Sequence, residues 1–217
     1  VRGLPKLLFA LLVVVLTIPT GVRADPAAVD QSFAAYKQAL VEGDGEAASK
    51  LTAADTHAFL DETLERALTM EAAEVRALPL LDQISVLMLR HNMKPEQLRA
   101  MQKSDAVAYA VDQRAFDMDE VERLTAAPFS VNGDRAQAEL SNLKGSPIPV
   151  SVHFKEEADG WKFDLLSSIA PFRAVFESQA GLFANLKTSD GKSGVVPLIL
   201  HLISGRAPDA NIWNPPG

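Results

Sequence analysis

The 217-residue sequence predicts an α+β fold in which N-terminal helices pack on a curved antiparallel β-meander, with extra helices and a C-terminal arm. Up to about residue 116 the apolar side chains recur with the period of amphipathic helices. From Glu122 the period changes to the alternation of half-buried strands. Hydrophobic residues make up 47% of the chain and cysteine is absent, so burial rather than disulfide bonding must hold the fold.

Each element has a local reason. Asp25 followed by Pro26 starts a helix, because a carboxylate accepts N–H groups of the first turn and proline has no N–H to leave unpaired. Val29, Phe33, Tyr36 and Leu40 then repeat at helical spacing, and Gly43 and Gly45 end the run. A second helix is expected near Glu46, and a longer one over 56–78 with Leu60, Leu64, Leu68 and Val75 on its apolar side, until Pro79 interrupts it. Leu81, Ile84, Leu87 and Met88 continue the period to about Asn92. Lys94-Pro95-Glu96 opens a short helix carrying Leu98 and Met101, and Ser104 is placed to cap another through about Phe116.

The strands follow. Ala127, Phe129 and Val131 point one way, and Asn132-Gly133-Asp134 marks a hairpin into the alternating Ala136, Ala138 and Leu140. After a loop, Val150, Val152 and Phe154 alternate with Ser151, His153 and Lys155; beyond the turn at 157–160, Trp161, Phe163 and Leu165 alternate with Lys162 and Asp164. Keeping apolar residues on one side requires Glu156 to face Trp161, Phe154 to face Phe163 and Val152 to face Leu165. His153 then lies opposite Asp164 and reads as a surface cross-strand pair. Pro171 opens a helix over 172–186. A polar link over 188–194 leads to an apolar stretch at 195–203 and a tail containing Ile212-Trp213.

Residues 1–24 read as a cleavable secretory signal peptide. Arg2 and Lys6 form a basic head, the apolar run over 7–18 is shorter than the roughly 20 residues of a spanning helix, and Val22-Arg23-Ala24 fits the small-x-small cleavage rule. The expected destination is export to periplasm or medium, with no stable membrane insertion of the mature chain. The domain plan is signal peptide 1–24, an α+β domain over 25–187 with a helical insertion at about 79–118, and a linker and apolar arm over 188–217. The net charge of −7, with three basic residues in the leader, excludes nucleic acid as a partner, since no basic patch is present to neutralise phosphates.

No catalytic set assembles from the sequence, and neither a cofactor nor a metal is expected. His57, His91, His153 and His201 lie outside helical ligand spacing of one another. Ser151 and Ser167 have no nucleophile elbow around them, and Gly191-Lys192-Ser193-Gly194 lacks the earlier glycine and preceding strand of a phosphate loop. Asp55, Asp61, Glu62 and Glu65 read as a solvated helix face, and Met88, Met93 and Met101 as core filler.

The opening helix Phe33-Ala34-Ala35-Tyr36-Lys37-Gln38-Ala39-Leu40-Val41-Glu42-Gly43-Asp44, further helices, and a meander closing on Gly160-Trp161-Lys162-Phe163-Asp164-Leu165 resemble the nuclear transport factor 2-like superfamily over about residues 25–167. The resemblance implies a curved sheet wrapped around the long first helix as a cone. Its interior would be lined by Phe33, Tyr36, Phe129, Ala138, Leu140, Val152, Phe154, Phe163 and Leu165. Members of that superfamily include isomerases, dehydratases, cyclases, adaptors and lipid carriers, so the resemblance fixes no function. Its enzymes use acid and base groups inside the cone, and only Tyr36 in this wall can donate a proton.

The leading expectation is therefore an exported, non-enzymatic domain that binds an apolar small molecule or a partner protein in a cone-like pocket. The first alternative is an isomerase or dehydratase using Tyr36. The second is an envelope assembly subunit whose arm docks on a partner or a second copy, as a homodimer, through Leu198, Leu202, Ile212 and Trp213.

Overall fold

Asp25 and Gly43 bound the first helix, α1 (Pro26–Glu42). The Asp25 carboxylate accepts the Ala27 N–H at 3.0 Å, and Gly43 adopts φ 75°, returning its N–H to the carbonyls of Ala39 and Leu40. The computed structural model describes residues 25–103, 105–114, 118–141, 147–183, 196–197, 199–200, 207–209 and 211–216. The leader, the 188–194 link, His201, Leu198 and Leu202 lie outside the described residues. After α1 come α2 (Gly45–Lys50), α3 (Ala54–Thr69), α4 (Ala72–Ala77), α5 (Leu80–Asn92), α6 (Pro95–Gln102), α7 (Ala106–Asp112) and α8 (Met118–Arg123). The strands β1 (Thr125–Ala126), β2 (Ser130–Asn132), β3 (Arg135–Ser141), β4 (Pro147–Glu157) and β5 (Gly160–Phe163) precede α9 (Leu165–Phe183).

The fold is α+β: helices packed on a curved antiparallel sheet, in which β3 is the common partner. β1 pairs with its end (Ala126↔Leu140), β2 with its start (Asn132↔Arg135), and β4 along its other edge, with β5 beyond. The strand expected over 127–131 is split, because Pro128 has no N–H for the ladder. Gly133 at φ 61° makes the two-residue hairpin turn that the sequence indicates. The β4–β5 register is also as expected, Glu156 facing Trp161 and Phe154 facing Phe163.

The concave face of the sheet buries Ala136, Ala138, Leu140, Val152, Phe154 and Trp161 against Val29 and Phe33 of α1. Phe33, Phe129 and Phe154 meet as tilted or edge-on rings with centroids 5.7–6.4 Å apart. The other half of α1 turns Ala39 and Leu40 toward α2 and α7. Gly45 lets α2 approach α7 closely: its N–H bonds to Asp112 Oδ1 at 3.0 Å, and a Cβ there would stand 2.3 Å from the Ala108 carbonyl oxygen.

Three expectations are corrected. The helix over 56–78 ends at Thr69 and α4 restarts beyond it, with the Glu74 carboxylate accepting the Glu71 N–H at 2.8 Å. The helix predicted from Ser104 is α7, capped instead by Asp105, whose carboxylate accepts the Ala108 N–H at 2.9 Å. The helix predicted from Pro171 begins six residues earlier at Leu165, so Leu165 never faces Val152 as a strand partner. Its cap is Asp164, which accepts the Ser167 N–H at 3.0 Å and so nucleates the helix ahead of the proline.

Where β5 stops, α9 takes over the free edge of β4. Asp164 N–H bonds to the His153 carbonyl at 2.9 Å, and the Ser168 hydroxyl oxygen accepts the His153 N–H at 3.1 Å. Arg173 then pairs with Asp82 at 2.9 Å, fastening α9 to α5.

The tail is held by the chain itself. Ile212 is 7% exposed in a cluster with Ala67, Val75, Ile84, Leu87, Val196 and Leu200, and the Arg76 guanidinium lies 4.5 Å over the Trp213 ring. The Arg90 guanidinium donates to the carbonyls of Ala67 and Met70, both at 2.7 Å, and of Arg66 at 3.2 Å, where α3 ends. It also donates to the carbonyl of Trp213 at 2.7 Å and, more weakly, to that of Ile212 at 3.5 Å. Burial lowers the Arg90 pKa, and the nearby Glu71 charge opposes that. Among the described residues no helix is long and apolar enough to cross a membrane.

Candidate functional site

The Tyr36 ring stacks on Phe163 with centroids 4.7 Å apart, and together with Leu40 and Leu165 this pair borders two cavities. Tyr36 is there because α1 packs against β5. Phe163 is fixed there because the segment before α3 pairs with it: Phe163 N–H bonds to the Leu51 carbonyl at 2.7 Å, and Ala53 N–H to the Phe163 carbonyl at 2.9 Å.

The smaller cavity, about 230 Å³, lies between α1, the concave sheet face and α9, with Phe33, Leu140, Val152, Ile169 and Phe172 on its wall. The larger, about 830 Å³, lies on the helical side, between α1, α3, α5, α6 and α7. Its wall is chiefly apolar, and Met88, Met93 and Met101, which the sequence suggests are filler, face it while also packing on the helical core. Asn92 and Gln113 are exposed and mark its mouth. Thr52 and Thr56, 5% and 1% exposed, lie with Tyr36 at its floor. Among the described residues lining the larger cavity there is no Asp, Glu, His, Lys or Arg; the smaller has Lys37, whose Nζ donates to the Leu124 carbonyl at 2.8 Å.

The expected pocket wall is thus divided. Phe33, Tyr36, Leu140, Val152, Phe163 and Leu165 line one or both cavities. Phe129, Phe154 and Ala138 do not; they are packed inside the core between α1 and the sheet. The helical half of the larger wall has no counterpart in the expected list. Its sequence signal was the run of methionines and small alanines over 88–110, which is equally the pattern of an ordinary core.

At the floor the hydroxyls are bonded. Thr52 donates to the Ala48 carbonyl at 2.9 Å and lies with Tyr36 on the cavity wall; Thr56 Oγ1 accepts the Leu165 N–H at 3.1 Å. Burial pushes the Tyr36 phenol up to about 12, the neighbouring Thr52 hydroxyl offsetting only part of the shift, so at neutral pH Tyr36 is a neutral donor and acceptor. Comparing the alkaline absorbance titration of the chain with that of Tyr36→Phe should show the missing phenolate near pH 12. A missing signal near pH 10, the ordinary value, would place the phenol in water.

His153 and Asp164 are not a surface pair. Asp164 is 3% exposed, and its carboxylate is occupied by the Ser167 N–H, the Ser167 hydroxyl at 2.7 Å and the Arg135 guanidinium. The bond joining it to His153 is a backbone one. Burial lowers the His153 pKa, the Asp164 charge pulls it back up, and Arg135 adds to the lowering. The unfolded chain therefore takes up this proton first as pH falls. The contribution to stability is present above 6.5 and is lost as pH drops through the lower folded value. His153→Gln should accordingly flatten the fall of the unfolding midpoint between about pH 7 and 5, measured by thermal denaturation.

A second constellation escapes the sequence altogether. The Ser49 hydroxyl donates to Asp105 Oδ2 at 2.8 Å, His57 Nδ1 lies 3.3 Å from the same oxygen, and His57 Nε2 is 3.1 Å from the Ser49 carbonyl. The hydroxyl bonds the carboxylate rather than the imidazole, so the three do not form a nucleophile, base and orienting acid. They tie α2 and α3 to the start of α7. Among the described residues no three His, Asp or Glu side chains are grouped to hold a metal ion. No family model, no curated protein and no solved structure matches this chain.

Proposed function

We propose that the chain is an exported binding domain that holds an apolar small molecule in its larger cavity. The observation that carries this is a volume of about 830 Å³ walled chiefly by apolar side chains, open to solvent at Asn92 and Gln113. Ligand sites span roughly 300–1,000 Å³ and combine such walls with a few polar groups that orient the ligand. Flexible methionines on α5 and α6 suit an occupant of adaptable shape. An isomerase or dehydratase would need a carboxylate or histidine beside Tyr36, and the described walls of both cavities offer neither. The arm as a docking device for a partner is less well supported, since Ile212 and Trp213 are occupied within their own chain.

Export by cleavage after Ala24 and kinship with the nuclear transport factor 2-like superfamily belong to the same reading. The second is supported by α1 lying against a concave meander. The larger cavity, however, opens on the helical side of that helix rather than inside the cone.

Native mass spectrometry of the protein expressed with its leader and recovered from the periplasm tests both halves. The expected result is a mass beginning at Asp25 with a co-purified adduct, the adduct being lost in Ala110→Trp, which fills the cavity from α7. A folded protein carrying no adduct and taking up no apolar fluorophore would overturn the binding reading; a mass retaining residues 1–24 would overturn export by cleavage.

A further inference from the structure

We infer that the occupant of the larger cavity is an uncharged amphiphile, a chain ending in a hydroxyl or carbonyl group, seated with that polar end inward at Tyr36 and Thr56. This rests on the reading of the cavity as a binding site and adds the charge and orientation of what it takes.

The most buried polar groups lie at the closed end, not the mouth. Thr52 spends its proton on the Ala48 carbonyl. Thr56 Oγ1 accepts from Leu165 N–H, and its own O–H proton has no acceptor among the described residues. The Tyr36 phenol lines the same wall beside Thr52, and its oxygen keeps acceptor capacity whichever way its own proton points. The floor therefore presents one hydroxyl donor and one hydroxyl oxygen able to accept, which together satisfy a ligand hydroxyl, and either of which satisfies a carbonyl. A purely apolar ligand would leave that capacity unused.

An anion is disfavoured at the same place for two independent reasons. No cation lines the described wall, so a carboxylate would lose its hydration without gaining an ion pair. The two helix N-termini that converge on the floor, which would otherwise attract negative charge, already hold carboxylates of this protein. Glu157 accepts the Ala54 N–H at 3.1 Å at the start of α3, and Asp164 accepts the Ser167 N–H at 3.0 Å at the start of α9. Neither N-terminus is therefore free to receive an entering carboxylate, Asp164 being in addition already paired with Arg135.

Displacement of a neutral apolar fluorophore by decanol, decanoate and decane at about pH 7.5 tests this, because the three share a chain and differ only at its end. Decanol should compete best, with decanoate at least about 100-fold weaker, and decanoate should gain as pH is lowered toward its own pKa. Tyr36→Phe should weaken decanol about 5-fold and leave decane unchanged. Decanoate matching decanol, or decanol unaffected by Tyr36→Phe, would overturn the inward uncharged end while leaving the cavity reading standing. A fluorophore that fails to bind, or that still binds Ala110→Trp with equal affinity, would overturn the cavity reading and this inference with it.

Discussion

Arg90→Met is expected to lower the midpoint of thermal unfolding by about 10 °C, corresponding to a loss of about 3 kcal/mol in a chain of this size. The guanidinium serves two strands of the chain at once: the carbonyls of Arg66, Ala67 and Met70, left over where α3 ends, and those of Ile212 and Trp213 in the tail. Methionine retains the apolar stem but leaves those carbonyls without a donor, and charge-assisted bonds are among the stronger ones. With the tail unfastened, Ile212 would leave its cluster and Trp213 the face of Arg76. A red-shifted tryptophan emission and new proteolytic cleavage within 207–216 should therefore accompany the stability loss. Arg90→Lys should recover little, since an ammonium cannot span both sets of carbonyls as the planar fork does. An unfolding midpoint within about 2 °C of the parent would show that water satisfies these carbonyls equally well.

Gly45→Ala is expected to be comparably damaging, at about 3 kcal/mol. The added methyl would stand 2.3 Å from the Ala108 carbonyl oxygen and 2.8 Å from its carbon, and backbone atoms cannot rotate away as a side chain can. Asp112 Oδ1, only 2.4 Å from the same point, is the acceptor of the Gly45 N–H, so separating the helices also strains that bond. Because α7 carries Val107, Tyr109 and Ala110 of the cavity wall, the variant should lose affinity for the apolar fluorophore as well as stability. Gly43→Ala is the useful contrast. Its site is open, nothing lying closer than 3.8 Å, and only the positive φ of 75° resists a side chain, a cost of about 1 kcal/mol. Equal effects of the two substitutions in urea denaturation would refute the steric account of Gly45.

The elements legible in the sequence are those whose signals are local. Asp25, Pro26 and Gly43 delimit α1 by capping chemistry that needs no distant partner. The β4–β5 register follows from parity alone, since a one-residue slip would turn Phe154 and Phe163 away from the core. The concave face of the sheet is legible for the same reason, and Leu140, Val152 and Phe163 on it border a cavity.

The errors fall where a distant group takes over a local role. The predicted helix over 56–78 is a continuous apolar pattern that stops at Thr69, and the group serving its final carbonyls is Arg90, about twenty residues on. Lys162 and Asp164 alternate as a solvated face should, yet both are buried: Lys162 donates to the Lys50 carbonyl at the end of α2 and pairs with Asp159, while Asp164 caps α9 and pairs with Arg135. Periodicity reports which side of an element is apolar, not what covers the other side.

The sequence by itself thus determined the mixed α+β class, the first helix with its caps, and the β4–β5 register from Glu156–Trp161 to Phe154–Phe163. All three follow from dihedral preference, capping and side-chain parity within a few residues. Only the tertiary structure decided where the empty volume lies. A methionine or leucine on an apolar helix face has the same pattern whether it meets another side chain or a void. The difference depends on how closely six helices and one strand approach one another, with Gly45 setting how near α2 comes to α7 and the Tyr36–Phe163 stack closing the wall between α1 and β5.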